Sequence, residues 1–280
     1  MSEAPPKHKS AERIAFIGGG NMASAIIGGI LMQGVPPANI DVVEPFAETR
    51  EKLKSQLGIV AQASAGPALA QATLVVWAVK PQTFKEAALQ TRFHTKTALH
   101  LSVAAGIRSD SIAHWLGTER VVRSMPNTPA LIGKGMTALF ARTAVTADDI
   151  QMIERVIATT GEFIWVAEEK LLDAVTALSG SGPAYVFYFI EAMTRAGADM
   201  GLTVEQAHRL AVGTFVGAAE LARKSDEPPE ILRQRVTSKG GTTHAAITSM
   251  DQDRVMMLFM RAMHTARQRA VELGDEFGAA

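Results

Sequence analysis

The chain of 280 residues contains no cysteine. That excludes disulfides, thiolate metal sites and cysteine nucleophiles, and fits a reducing, cytoplasmic setting. Neither sign of charge is in excess, since 28 basic residues balance 28 acidic ones. Nothing therefore points to nucleic acid as a partner, because that binding rests on clustered positive charge. The histidines, among them His114, His208 and His264, lack metal-ligand spacing, so no metal is expected. Repeats and low-complexity tracts are missing. One further absence invites misreading: residues 14–40 carry no charge and follow Lys7, His8, Lys9 and Arg13, as an export signal or membrane span would. Six glycines from Gly18 to Gly34 interrupt the run, and Asn21 sits near its middle. The expectation is a folded segment with no membrane partner.

What is present is long enough for one large domain or two ordinary ones, with a typical 47% hydrophobic content. Residues 1–12 are polar and proline-bearing and read as a loose leader. Short β-prone runs at 14–17, 40–43, 73–79, 99–103, 120–124 and 135–140 are separated by helical spacing, as at 23–33 and 48–57. Such alternation predicts crossover units and a parallel sheet over residues 13–167. A helix over 145–160 is expected with Thr146 as its cap and Asp148 and Asp149 in its first turn, and 161–166 reads as a last strand. Residues 168–280 are helical in character, with long alanine-rich stretches at 171–197, 204–224 and 253–273. Small residues there, such as Ala192, Ala196, Ala211, Gly213 and Gly217, let helices approach closely, within the domain or between subunits. A dimer at least is expected. Met256, Met257, Met260 and Met263 recur at helical spacing and read as core packing.

Two glycine turns stand out. Gly18-Gly19-Gly20-Asn21-Met22-Ala23 follows the strand at 14–17 and opens a helix. Gly18 permits a tight turn, Gly20 lets the backbone approach a pyrophosphate, and small Ala23 allows close helix–strand packing. This is the layout of a dinucleotide cradle, although glycines that merely tighten a strand–helix connection would look alike. Glu44 ends the second strand, where an acid accepts from a ribose 2′-hydroxyl and repels a 2′-phosphate. By that rule NADH is favoured, while Arg50 and Lys52 stand close enough to offset the repulsion. The second turn, Ser238-Lys239-Gly240-Gly241-Thr242-Thr243, can converge backbone amides on a small carboxylate, or can be an interhelical turn with Thr242 or Thr243 as cap.

Between them, Ala78-Val79-Lys80-Pro81 ends a buried strand, and ligands of open parallel sheets lie beyond such ends. Met125-Pro126-Asn127-Thr128-Pro129 is a stiffened loop in which Asn127 offers a donor and an acceptor. With Asp173-Ala174-Val175-Thr176-Ala177-Leu178-Ser179-Gly180-Ser181-Gly182-Pro183-Ala184-Tyr185 and Val236-Thr237-Ser238-Lys239-Gly240-Gly241-Thr242-Thr243, these segments resemble the pyrroline-5-carboxylate reductases. The resemblance runs from Ile14 to about Leu273. It implies a Rossmann domain followed by an all-helical dimerisation domain, with dimers that assemble further, in some cases to decamers. It implies NADPH- or NADH-dependent reduction of 1-pyrroline-5-carboxylate to L-proline. Gly18, Gly20, Asn21, Met22, Ala23, Glu44, Ala78, Val79, Lys80, Pro81 and Asn127 are the expected cofactor residues. Ser238, Gly240, Gly241, Thr242 and Thr243 are the expected substrate residues, with Thr243 matching the family threonine that hydrogen-bonds the ring nitrogen. Glu44 departs from family members favouring NADPH, which carry small polar or basic residues there.

Two other classes compete. A β-hydroxyacid dehydrogenase needs a lysine on the first long helix of its second domain, and residues 183–194 contain none. A non-catalytic nucleotide-sensing module would bind cofactor without consuming it.

Overall fold

The computed structural model describes residues 12–278, and the rest of the expected leader, 1–11, lies outside them. Glu12 is buried, and its carboxylate accepts from Arg155 at 2.5 Å. The chain forms two compact units: residues up to Gly180 together with those from Ala266, and Ser181–Thr265.

The first unit is built from β1 (Ile14–Ile17), α1 (Asn21–Met32), β2 (Ile40–Val43), α2 (Ala47–Leu57), β3 (Leu74–Trp77), α3 (Pro81–Thr91), β4 (Leu99–Ser102), α4 (Ser109–Leu116), β5 (Val121–Met125), β6 (Gly135–Ala141), α5 (Ala147–Ile157) and β7 (Gly161–Trp165). The sheet order is β2-β1-β3-β4-β5-β6-β7. β1, β3 and β4 are buried at every residue, and β1 and β3 accordingly read as unbroken apolar runs rather than alternating ones. Side chains of α1 and α5, such as Ile26, Ile30 and Val156, cover one face with Phe16 and Leu53. Trp77, Phe84, Ile112 and Trp115 fill the other. A sheet clad on both faces is doubly wound.

The first five strands run parallel, with Ile17 beside both Val43 and Trp77. β6 departs from the all-parallel expectation and pairs antiparallel with β5. The connection 126–134 is too short for the crossover that a parallel neighbour requires. β7 returns parallel to β6 after the α5 crossover. Thr146 caps α5 in a reciprocal box with Asp149, as expected.

Beyond β7 the chain is helical: α6 (Leu171–Val175), α7 (Gly182–Asp199), α8 (Val204–Lys224), α9 (Pro229–Arg235), α10 (Thr242–Gln252) and α11 (Val255–Gly278). The helical stretch 171–197 is divided by a π-helical turn, Thr176–Gly180, and α7 opens at Gly182 with Pro183 in its first turn. The run Ser179-Gly180-Ser181-Gly182 supplies the break, being poor in helix formers. Met256, Met257 and Met260 are exposed rather than core. Their helix presents more apolar surface than one copy of the second unit covers. Tyr185 packs edge-on against Phe259 within that unit, at 5.5 Å between centroids. Among the described residues no helix is long and apolar enough to cross a membrane.

Candidate functional site

Strand order reverses between β1 and β3, and the turns leaving those strands lie side by side. Ala78 donates its amide to Ile17 at 2.8 Å. Gly18 has φ +95°, and a Cβ there would lie 2.6 Å from the Ala78 carbonyl oxygen. No other residue fits this bend. Gly20 is different: its φ is −69°, it is exposed, and a Cβ would meet nothing within 4 Å. The free space lies at the amino end of α1, which begins at Asn21, two residues before the sequence places it. Gly20 is the N-cap, no side chain caps the helix, and no acid occupies its first turn. The amides of Asn21, Met22 and Ala23 thus lack intrahelical acceptors and lie at the positive end of the helix dipole. Buried Ala23 seats the helix on the sheet. This cradle fits a pyrophosphate.

At the end of β2, Glu44 is only 6% exposed. One carboxylate oxygen accepts from the Gly19 amide at 2.8 Å and the other from the Phe46 amide at 2.9 Å. Arg50 donates to the carbonyls of Glu44 and Pro45 at 2.9 and 2.7 Å. Lys52 pairs instead with Glu48 at 2.8 Å. Beyond β3, Ala78 and Val79 are half-buried beside Gly18, exposed Lys80 is the N-cap of α3, and Pro81 occupies its first turn.

Asn127 holds protein rather than pointing into open space. Its side-chain nitrogen donates to the Ser179 hydroxyl at 3.1 Å, and its oxygen accepts from the Met136 amide at 2.9 Å. The loop after β5 is thereby tied to the π turn. Gly180 completes the joint, since a Cβ there would lie 2.2 Å from the Met125 methyl. The sequence shows both segments as signatures but not that they bind each other. Asp173, which opens the second signature, has its carboxyl pushed up by burial, against the lowering effect of Arg123, Arg108 and Arg267.

In the second unit, Gly240 has φ +76° and the Gly241 amide donates to the Ser238 carbonyl at 3.0 Å. Gly241 is the N-cap of α10, and no side chain caps it. The reading of Thr242 or Thr243 as cap therefore does not hold; both lie in the first turn. The amides of Thr242, Thr243 and His244 are without intrahelical acceptors, and no acid lies in that turn. The half-buried Thr243 hydroxyl makes no hydrogen bond to the described residues. Exposed Ser238 stands at the turn entrance. His244 is exposed, and its carbonyl accepts from the Thr248 hydroxyl at 2.8 Å. Among the described residues no cluster of acids and histidines could hold a metal.

A family model described as pyrroline-5-carboxylate reductase dimerisation matches residues 169–273. Another, NADP oxidoreductase coenzyme F420-dependent, matches 13–106. The pyrroline-5-carboxylate reductase of Pseudomonas aeruginosa is 44% identical over 96% of this chain and 99% of its own length. The solved pyrroline-5-carboxylate reductase of Coxiella burnetii matches with TM-score 0.86 at 36% identity, over 94% of this chain and 98% of that one. The pyrroline carboxylate reductase of Plasmodium falciparum, solved with NADP bound, matches with TM-score 0.85 at 27% identity, over 95% and 100%. The chain belongs to the pyrroline-5-carboxylate reductase family.

Proposed function

We propose that this chain reduces 1-pyrroline-5-carboxylate to L-proline at the expense of NADPH or NADH, the last step of proline synthesis. The observation that carries the reading is the repeated use of one device. Each glycine turn leads into a helix whose first amides no side chain caps. A reductase of a carboxylated imine needs two anion sites, one for a pyrophosphate and one for a substrate carboxylate.

The dinucleotide, when bound, supplies the hydride. Gly18 shapes its cradle, Gly20 leaves room for it, and the amides of Asn21, Met22 and Ala23 face its phosphates. Ala78, Val79, Lys80 and Pro81 form the adjoining wall. Asn127 acts on the site by fixing the loop after β5. Gly240 and Gly241 bend the chain so that the amides of α10, with the Ser238 hydroxyl and Thr242, hold the substrate carboxylate. Thr243 orients the ring nitrogen. Its hydroxyl is too weak an acid to protonate an imine unaided, so it relays a proton from water or holds a substrate protonated in solution.

Residues 13–167 are read as the dinucleotide domain and 168–280 as the dimerisation and substrate domain. The match to a dimerisation family supports self-association, and we place the enzyme in the cytoplasm as a homodimer that can build toward a decamer. Balanced charge supports a small molecule rather than nucleic acid as partner, and the proposal assigns no role to a membrane. The test is oxidation of NADPH or NADH by purified protein with pyrroline-5-carboxylate, with its six-membered homologue as control. Cofactor binding without turnover would favour the sensing module.

A further inference from the structure

We propose that Glu169 is a positioning residue for the reduction, acting through the loop that follows β5. The inference rests on the reductase reading above. Residues 125–129 leave the carboxyl end of β5, the side on which open sheets hold their ligands. Two of them are tied to the stretch that enters the π turn: Asn127 donates to the Ser179 hydroxyl at 3.1 Å, and the Met125 methyl fills the space a Cβ on Gly180 would take. The foot of that stretch is tied to the same strand. Arg123 of β5 donates to Glu169 Oε1 at 2.6 Å, just ahead of α6. Strand β5 and residues 169–180 are thus fastened to each other at two points, and the loop lies at the upper one.

Glu169 does more than pair with Arg123. Oε1 also accepts from the Ser109 amide at 2.6 Å, and Oε2 accepts from the Ser109 hydroxyl at 2.6 Å. These bonds cap α4 from 60 residues away, since its own N-cap residue, Arg108, supplies no side-chain cap. The Ser109 hydroxyl accepts in turn from Arg142 at 3.1 Å, and Arg142 pairs with Asp110 and Glu119. The lower fastening therefore joins α4, β5 and the entry to α6 in one place. It is largely out of water, with the Arg123 side chain 8% and the Glu169 side chain 21% exposed. Apolar side chains of the same volume would hold these elements together as firmly. What charge-assisted bonds add is direction: they fix how far β5 stands along the neighbouring stretch, and so where Asn127 holds its loop.

The test is steady-state reduction of pyrroline-5-carboxylate by the full chain, for Glu169→Ala, Asn127→Ala and the double variant, each shown to be folded by circular dichroism. Glu169→Ala lowers kcat about 10- to 100-fold and leaves KM for cofactor and imine within about 3-fold, because both ligands still bind but meet out of line. The double variant falls no further than the slower single one, because without Asn127 the lower fastening has nothing left to place. An unchanged kcat overturns the inference. Losses that multiply in the double variant, or a rise in KM alone, overturn it as well and leave Glu169 a structural support. If Glu169→Ala does not fold, Glu169→Gln is read in the same way. It keeps the shape of the side chain without the charge facing Arg123, and lowers kcat about 3- to 10-fold. An unaltered chain that binds cofactor yet does not consume it with the imine removes the reductase reading itself, and this inference with it.

Discussion

Gly18 and Gly20 sit two positions apart and answer to opposite constraints. The first is demanded by the fold, since φ +95° and the Ala78 carbonyl leave no room for a side chain. The second is tolerated by the fold, since its backbone is extended and its surroundings are empty. Gly18→Ala is expected to cost about 1–3 kcal/mol or more in urea unfolding. Gly20→Ala is expected to keep the unfolding midpoint while weakening NADP⁺ binding measured by fluorescence transfer from tryptophan. Thr243→Ala should unfold normally and bind cofactor normally, because the hydroxyl makes no hydrogen bond to the described residues; turnover with imine should fall about 10- to 100-fold. Unaltered turnover would dismiss its role. At this scale the glycines were readable as bends, because glycine reports local backbone needs directly. The engagements of Glu44 and Asn127 were not readable. Each depends on a partner many positions away, Gly19 in one case and Met136 and Ser179 in the other.

The elements carry their own tests. The box that opens α5 is local chemistry, visible in Thr146 and Asp149 before any folding is considered. Thr146→Ala should cost about 1 kcal/mol in chemical denaturation. A second test concerns β3 and β4, where the buried Trp77 indole N–H donates to His100 Nδ1 at 3.0 Å. Burial pushes His100 down to about 4, so the folded chain keeps it neutral while the unfolded chain protonates it near 6.5. The unfolded state then binds the extra proton at low pH. This contribution is fully present above pH 6.5 and is lost as pH falls toward 4, by up to roughly 3 kcal/mol. Unfolding free energies measured across that window should fall more steeply for the unaltered chain than for His100→Phe. β1 and β3 were legible because strands buried on both faces are uniformly apolar. The reversal of β6 was missed, because strand direction follows from connection length.

At the level of the molecule, one copy leaves much apolar surface uncovered on the second unit. Phe187, Tyr188, Leu210, Val216, Leu221 and Met256 are all exposed. A cavity of about 570 Å³, lined by Leu202, Gln206, Arg209, Leu210, Gly213 and Thr214, opens on the same α8 surface. Exposed apolar surface of this extent marks association. Light scattering should return at least twice the 29.9 kDa chain mass, and Leu221→Asp should lower it toward one copy. A concentration-independent monomer mass for the unaltered protein would refute this. The helical nature of this region was plain in its alanine-rich spacing. Its outward methionines were mistaken for core because periodicity finds an apolar face without saying which molecule covers it. One feature also bears on how the protein is made. Residues from Ala266 onward belong with the sheet, where Leu273 backs Gly106, Asp275 pairs with Arg108 at 2.5 Å and Phe277 packs beside the Trp77 cluster. A ribosome delivering this chain releases seven strands well before the segment that seals them. Until then the apolar surface beside Gly106 and the Trp77 cluster stays open, so termination between residues 180 and 266 would yield a fragment with that surface exposed rather than a smaller working protein.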